Sequence, residues 1–92
     1  MPHPPRPTTW PDYARALGVE LQRRRIDRGL TQEELAHRAG MTRTHYQQME
    51  RGWWKTDMPA NPSIKVLARL AQVLGLEPGE LLPPVGGVRW EE

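Results

Sequence analysis

The stretch from Thr31 to Gly52, TQEELAHRAGMTRTHYQQMERG, constrains the fold more than any other part of the chain. It reads as two short helices joined by a tight turn. Thr31 opens the first: its hydroxyl accepts from the amide three residues on, while Glu34 reaches back in the reciprocal Thr-x-x-Glu arrangement. Leu35 and Ala39 fall four apart on one face, and Ala36 is small enough for another helix to cross closely. Gly40 ends the helix where a left-handed conformation would strain any residue with a Cβ. Thr42 starts the second helix.

Unrolled at about 100° per residue from Arg43, the second helix puts Gln47 at about 40°, Arg51 at about 80°, Thr44 at about 100° and Gln48 at about 140°. On the same wheel Met49 and Tyr46 fall at about 240° and about 300°. One side is therefore apolar and the other is all hydrogen-bonding groups. Arg, Gln and Thr are the side chains that read base edges in a major groove: Arg on guanine, Gln on adenine, Thr by its hydroxyl or methyl. Arg43, Thr44, Gln47 and Gln48 are the expected base-contacting residues. His45, at about 200° on this wheel, lies off the centre of that face and suits either a phosphate or solvent.

These residues resemble the Xre/Cro repressor family of helix-turn-helix proteins. The resemblance is carried by Gly29-Leu30-Thr31-Gln32-Glu33-Glu34-Leu35-Ala36, Ala39-Gly40, Glu50-Arg51-Gly52, Asn61-Pro62-Ser63-Ile64 and Leu70-Ala71-Gln72-Val73-Leu74-Gly75. It implies an all-α fold of five helices, lambda-repressor-like, that binds double-stranded DNA as a homodimer with its third helix in the major groove. It assigns phosphate contacts to Gln32 and Arg51, with Thr42, Arg28 and Lys55 beside them. Arg25 and Glu50 match positions joined by a buried salt bridge in phage-repressor relatives. Two residues depart from the family pattern. Arg24 stands where an apolar residue is usual, so its stem must lie along the core edge with the guanidinium outward. Tyr46 replaces Ile or Val, and needs both room and a hydroxyl partner.

Ninety-two residues with 37% apolar side chains make one small domain with a modest core. Net charge is only +2, yet residues 1–55 carry ten Lys/Arg against six Asp/Glu and residues 56–92 three against five, so the basic half holds the reading helix. No cysteine is present, which excludes disulfides and thiolate metal sites and fits a reducing cytoplasm. No apolar run approaches the roughly 18 residues of a membrane span, and the proline-rich start lacks a signal peptide's apolar region. The expectation is a soluble cytoplasmic protein without membrane attachment.

Residues 1–11, with five prolines, read as an extended arm in which Trp10 anchors on the core. The domain proper is expected over 12–82. Asp12 caps a helix from Tyr13 to Arg28 with Leu17 and Leu21 inward. Residues 52–61, GWWKTDMPAN, form a long loop; one of Trp53 and Trp54 enters the core, meets DNA beside Lys55, or offers a partner surface. Asn61 or Ser63 caps a fourth helix with an inward stripe of Ile64, Leu67, Ala68, Ala71 and Leu74, stopped by Gly75. Pro78 to Leu82 forms a short last helix in which Leu81 and Leu82 cannot both face inward; the resemblance places the dimer contact here. The tail, 83–92, extends that contact through Val85, Val88 and Trp90 or stays unfolded.

Catalysis and metal binding are not expected. Glu33 and Glu34 are helix neighbours that point apart, and their first-turn position explains them. His3, His37 and His45 lack metal-ligand spacing. No cofactor is implied and no enzyme is expected. The function expected is a sequence-specific transcription regulator, a dimeric repressor reading an inverted repeat through residues 42–51. The alternatives are an antitoxin with a small toxin partner or a restriction-modification controller, each repressing its own operon, or a protein-interaction module on the same fold.

Overall fold

Thr9, and not Asp12, opens the first helix. In the computed structural model, which describes residues 6–55 and 57–90, the Thr9 side chain accepts from the Asp12 amide at 3.2 Å. Helix α1 accordingly runs Trp10–Asp27, with Pro11 in its first turn where a missing N–H costs nothing. Asp12 becomes a first-turn acid beside the positive end of the helix dipole. Helix α2, Gln32–Arg38, starts at the reciprocal Thr31–Glu34 cap, with bonds of 2.9 and 3.0 Å. The Thr31 amide, first among the causes, holds the Glu34 carboxyl below its ordinary range. Gly40 turns the chain at φ 74°, and the Thr42 side chain accepts from the His45 amide to begin α3, Arg43–Arg51.

The expected loop after α3 is instead a small antiparallel hairpin, β1 Trp53–Lys55 and β2 Met58–Pro59, with Trp53 opposite Pro59 and Lys55 opposite Met58. Adjacent tryptophans favour extended backbone, and Pro59 sits in a two-stranded ribbon that leaves room for a residue without an N–H. The Ala60 amide closes the base of the hairpin on the Gly52 carbonyl at 2.8 Å. Ser63, rather than Asn61, caps α4, Ile64–Leu74. The expected fifth helix is a single 3-10 turn, Pro78–Glu80, too short for a further rod. Among the described residues, four α-helices and a hairpin therefore stand in place of five helices.

The core gathers Leu17 and Leu21 from α1, Leu35 and Ala36 from α2, Tyr46 and Met49 from α3, and Leu67, Leu70, Ala71 and Leu74 from α4. The inward stripe of α4 differs from the one expected. Ile64 is 84% exposed and Ala68 also faces out, while Leu70 is fully buried, because the packed face is rotated toward Leu67, Leu70, Ala71 and Leu74. Leu81 closes the core at 0% exposure, which withdraws it from the dimer contact assigned to it; Leu82, at 44%, stays outside.

Helix α1 crosses α3 almost backbone to backbone. A Cβ on Gly18 would lie 2.6 Å from the Met49 carbonyl oxygen and closer still to that of Glu50. One on Gly52, itself left-handed at φ 84°, would lie 2.8 Å from the Arg15 Cα. Segments near the two ends of the described chain meet at the start of α1. Tyr13 donates to the Pro83 carbonyl at 2.8 Å, the Arg89 amide donates to the Thr8 carbonyl at 2.9 Å, and Trp10 lies between the rings of Tyr13 and Trp90.

Candidate nucleic-acid interface

Burial along α3 follows the helical period. Tyr46 and Met49 are buried, Arg43 and Thr44 are exposed, and Gln47 and Gln48 are half-buried at the border. The exposed strip continues through Arg51 to Lys55 on the hairpin, both in solvent. Thr42 spends its oxygen on the helix cap and keeps its hydroxyl proton to donate.

Behind this strip lies a polar network. Arg25 Nε donates to Glu50 Oε2 at 2.6 Å and its Nη2 to Oε1 at 3.3 Å, while Nη1 donates to the Leu30 carbonyl at 2.9 Å. One guanidinium thus ties α1 to the end of α3 and to the connection before α2. The Tyr46 hydroxyl donates to Glu50 Oε2, and Gln32 Nε2 donates to Glu50 Oε1 at 3.0 Å. Gln47 Nε2 then donates to Gln32 Oε1 at 3.1 Å. Burial pushes the Glu50 carboxyl up, but the bonds from Arg25, Tyr46 and Gln32 outweigh it and hold it below its ordinary range. Burial, and then the Glu50 contact, pushes the Tyr46 hydroxyl far above its ordinary value. The Glu50 bond raises Arg25, so the pair stays ionised.

Besides Thr42 and Gln47, three residues assigned to DNA have further engagements. Gln32 has both ends of its amide in the network, leaving one N–H for a phosphate. Gln48, expected on a base, donates to the Trp54 carbonyl at 3.3 Å and so braces the hairpin. Arg28 is exposed, with its guanidinium against Gly75, 3.3 Å from where a Cβ would sit; there it faces the negative end of α4.

The hairpin is fastened from both sides. Trp54 packs on the core edge and against His45, ring centroids 5.1 Å apart, so His45 is spoken for by an aromatic neighbour. Trp53 lies under the Arg15 guanidinium at 5.9 Å. Arg24, half-buried, lies along α1 with its guanidinium on Glu20 at 2.8 Å. The i, i+4 spacing of Tyr46 and Glu50 was a readable sign of their bond. Nothing local announced the Arg15–Trp53 contact, which joins residues far apart in the chain.

The helix-turn-helix family profile matches residues 21–81, about two thirds of the chain. The chain belongs to the Xre-like helix-turn-helix family. A helix-turn-helix relative, the HTH-type transcriptional regulator y4dJ of Sinorhizobium fredii, is 36% identical over 73 residues, covering 79% of this chain and 87% of its own. The restriction-modification controller protein C.AhdI of Aeromonas hydrophila superposes with a TM-score of 0.66 at 34% identity, over 77% of this chain and 97% of that one. The N-terminal DNA-binding domain of SinR from Bacillus subtilis gives 0.63 at 28% identity, over 76% and 94%. SinR has also been solved in complex with DNA, and that chain matches with a TM-score of 0.61 at 28% identity, over 71% and 95%. Among the described residues of this helix-turn-helix protein, no helix is long and apolar enough to cross a membrane, and no three His, Asp or Glu side chains cluster as metal ligands.

Proposed function

We propose that this chain is a dimeric transcription regulator that reads an inverted repeat in double-stranded DNA through α3. Regulation of transcription by DNA binding is the common property of the family and of the relatives it resembles. One observation carries the finer reading: α3 keeps Tyr46 and Met49 buried while Arg43, Thr44 and the border residue Gln47 line its outer side. A rigid rod anchored on one face and lined with donors and acceptors on the other is what base-edge recognition requires.

Arg43, Thr44 and Gln47 are the proposed base readers. Gln48 braces the hairpin through one N–H and keeps its other N–H and its oxygen for a base. Thr42, Arg51 and Lys55 are the proposed phosphate contacts, aided by the remaining N–H of Gln32; Arg28 takes a peripheral place. These contacts fix register without carrying sequence information. Exposed Leu82 marks the proposed two-fold contact, and the reading helices of such a dimer stand about 34 Å apart. The chain's action is occupancy of its operator, with Arg25–Glu50 as the structural pair behind it.

Selection from a random-sequence duplex pool tests this reading. The expected product is an inverted repeat with half-sites about one helical turn apart. Recovery of no common sequence would refute base reading. A second reading, an autoregulating controller of a restriction-modification locus, is favoured by the match to 97% of a controller protein's length. It predicts that the selected sequence occurs upstream of the chain's own coding region.

A further inference from the structure

The Tyr46 hydroxyl belongs to none of the contacts assigned to DNA, and at 0% exposure its ring never reaches a duplex. Its partner Glu50, with a side chain 5% exposed, offers two oxygens and about four lone-pair positions. Arg25 takes one position on each oxygen, Tyr46 takes the second on Oε2, and Gln32 takes the second on Oε1. The carboxylate is saturated. Since it only accepts, Gln32 must turn its NH2 group to Glu50 and its oxygen to Gln47, which must answer with an N–H. Gln47 is left with its own oxygen and one N–H to offer outward, an acceptor and donor side by side that suit the N6 and N7 edge of adenine.

We infer that Tyr46 is a positioning residue for base reading: by filling Oε2 it holds Gln32 to Oε1, and through Gln32 it fixes which atoms Gln47 shows to a base pair. The inference rests on the proposal that α3 reads bases. An aliphatic side chain at position 46 would leave a buried lone pair open, and a buried unpaired acceptor draws in water or a reoriented neighbour. Gln32 would then choose between two oxygens, and Gln47 would lose its single orientation. Tyr46 therefore contributes selectivity without touching DNA.

The test uses the full chain and a duplex selected from a random pool, with Tyr46→Phe keeping the ring and removing the hydroxyl. Gln47→Ala first identifies the base pair that Gln47 discriminates. Tyr46→Phe is expected to lose about threefold to thirtyfold in discrimination at that pair, with random-duplex affinity kept. In the Gln47→Ala background it should change nothing further, because its route to the DNA is gone. Wild-type discrimination in Tyr46→Phe, a loss spread evenly over all base pairs, or a loss that persists without Gln47 overturns the inference. If a melt shows Tyr46→Phe unfolded, Gln32→Leu at the half-buried link takes its place: loss at the same pair supports the relay, and retention overturns it. A wild-type chain that selects no sequence sinks base reading and this relay together. Selection by the wild type with Tyr46→Phe unaltered sinks the relay alone.

Discussion

Arg43, at the start of α3 in solvent, is a proposed base reader. Replacing it with Ala should weaken binding to the selected duplex by about 1–3 kcal/mol and relax preference at one base pair. Titration against selected and random duplexes checks this; equal loss on both would make Arg43 a phosphate contact. Glu50 carries a different burden, because its removal leaves the Arg25 guanidinium, 12% exposed, without its carboxylate. Glu50→Ala should cost about 3–5 kcal/mol in a thermal melt. The same pair sets an acid limit. The folded pKa of Glu50 lies below its ordinary 4.5, so the folded chain binds fewer protons than the unfolded one as the pH falls through this window. Its contribution is complete above about pH 4.5 and drains away as the pH drops through the folded pKa. Wild type should thus lose stability on acidification more steeply than Glu50→Gln. Tyr46 illustrates what single residues concealed: its inward direction was legible from the helical wheel and the i, i+4 spacing of Glu50 pointed to a partner, whereas the sharing of that carboxylate with Arg25 and Gln32 became evident only with the side chains in place.

At the scale of elements, the caps were the most legible features. Thr31, Gly40, Thr42 and Gly75 each act locally, and local chemistry is what spacing encodes. The start of α1 was misplaced because Thr and Asp both suit a cap, and it is the Thr9 side chain that accepts here, with Trp10 stacked on Tyr13 in the extra turn. The hairpin was read as a loop because three residues facing two are too few to show alternation. Its placement predicts that Lys55→Ala reduces the salt slope of DNA binding by about one with selectivity unchanged. A slope identical to wild type would move the hairpin away from the backbone. Between α1 and α3 the decisive residue is Gly18. A methyl there collides with the carbonyls of Met49 and Glu50, which cannot swing aside without unwinding the helix. Gly18→Ala should therefore destabilise by about 1–3 kcal/mol or more, although Ala is the better helix former. Denaturant unfolding will show it.

The described residues span 35 × 28 × 22 Å, a size at which every contact between distant segments counts. In the sequence Trp10 reads as an anchor on the core and Trp90 as part of a dimer contact or an unfolded tail; that arm and tail meet depends on pairings 70 or more residues apart, such as Tyr13 with Pro83. Removing one ring of that cluster by Trp90→Ala should lower stability by about 0.5–1.5 kcal/mol, the worth of an aromatic pair. A melting temperature equal to wild type would show that the ends contribute nothing. At this scale too, the crossing at Gly18 and Gly52 has a practical meaning. Where two main chains touch, no side chain is available to shift, so the axis of α3 is set by absent atoms rather than by present ones. Substitutions at Arg43 and Thr44 leave that joint alone, so under the proposed base reading the domain is a fixed mount whose DNA preference is rewritten from the outside.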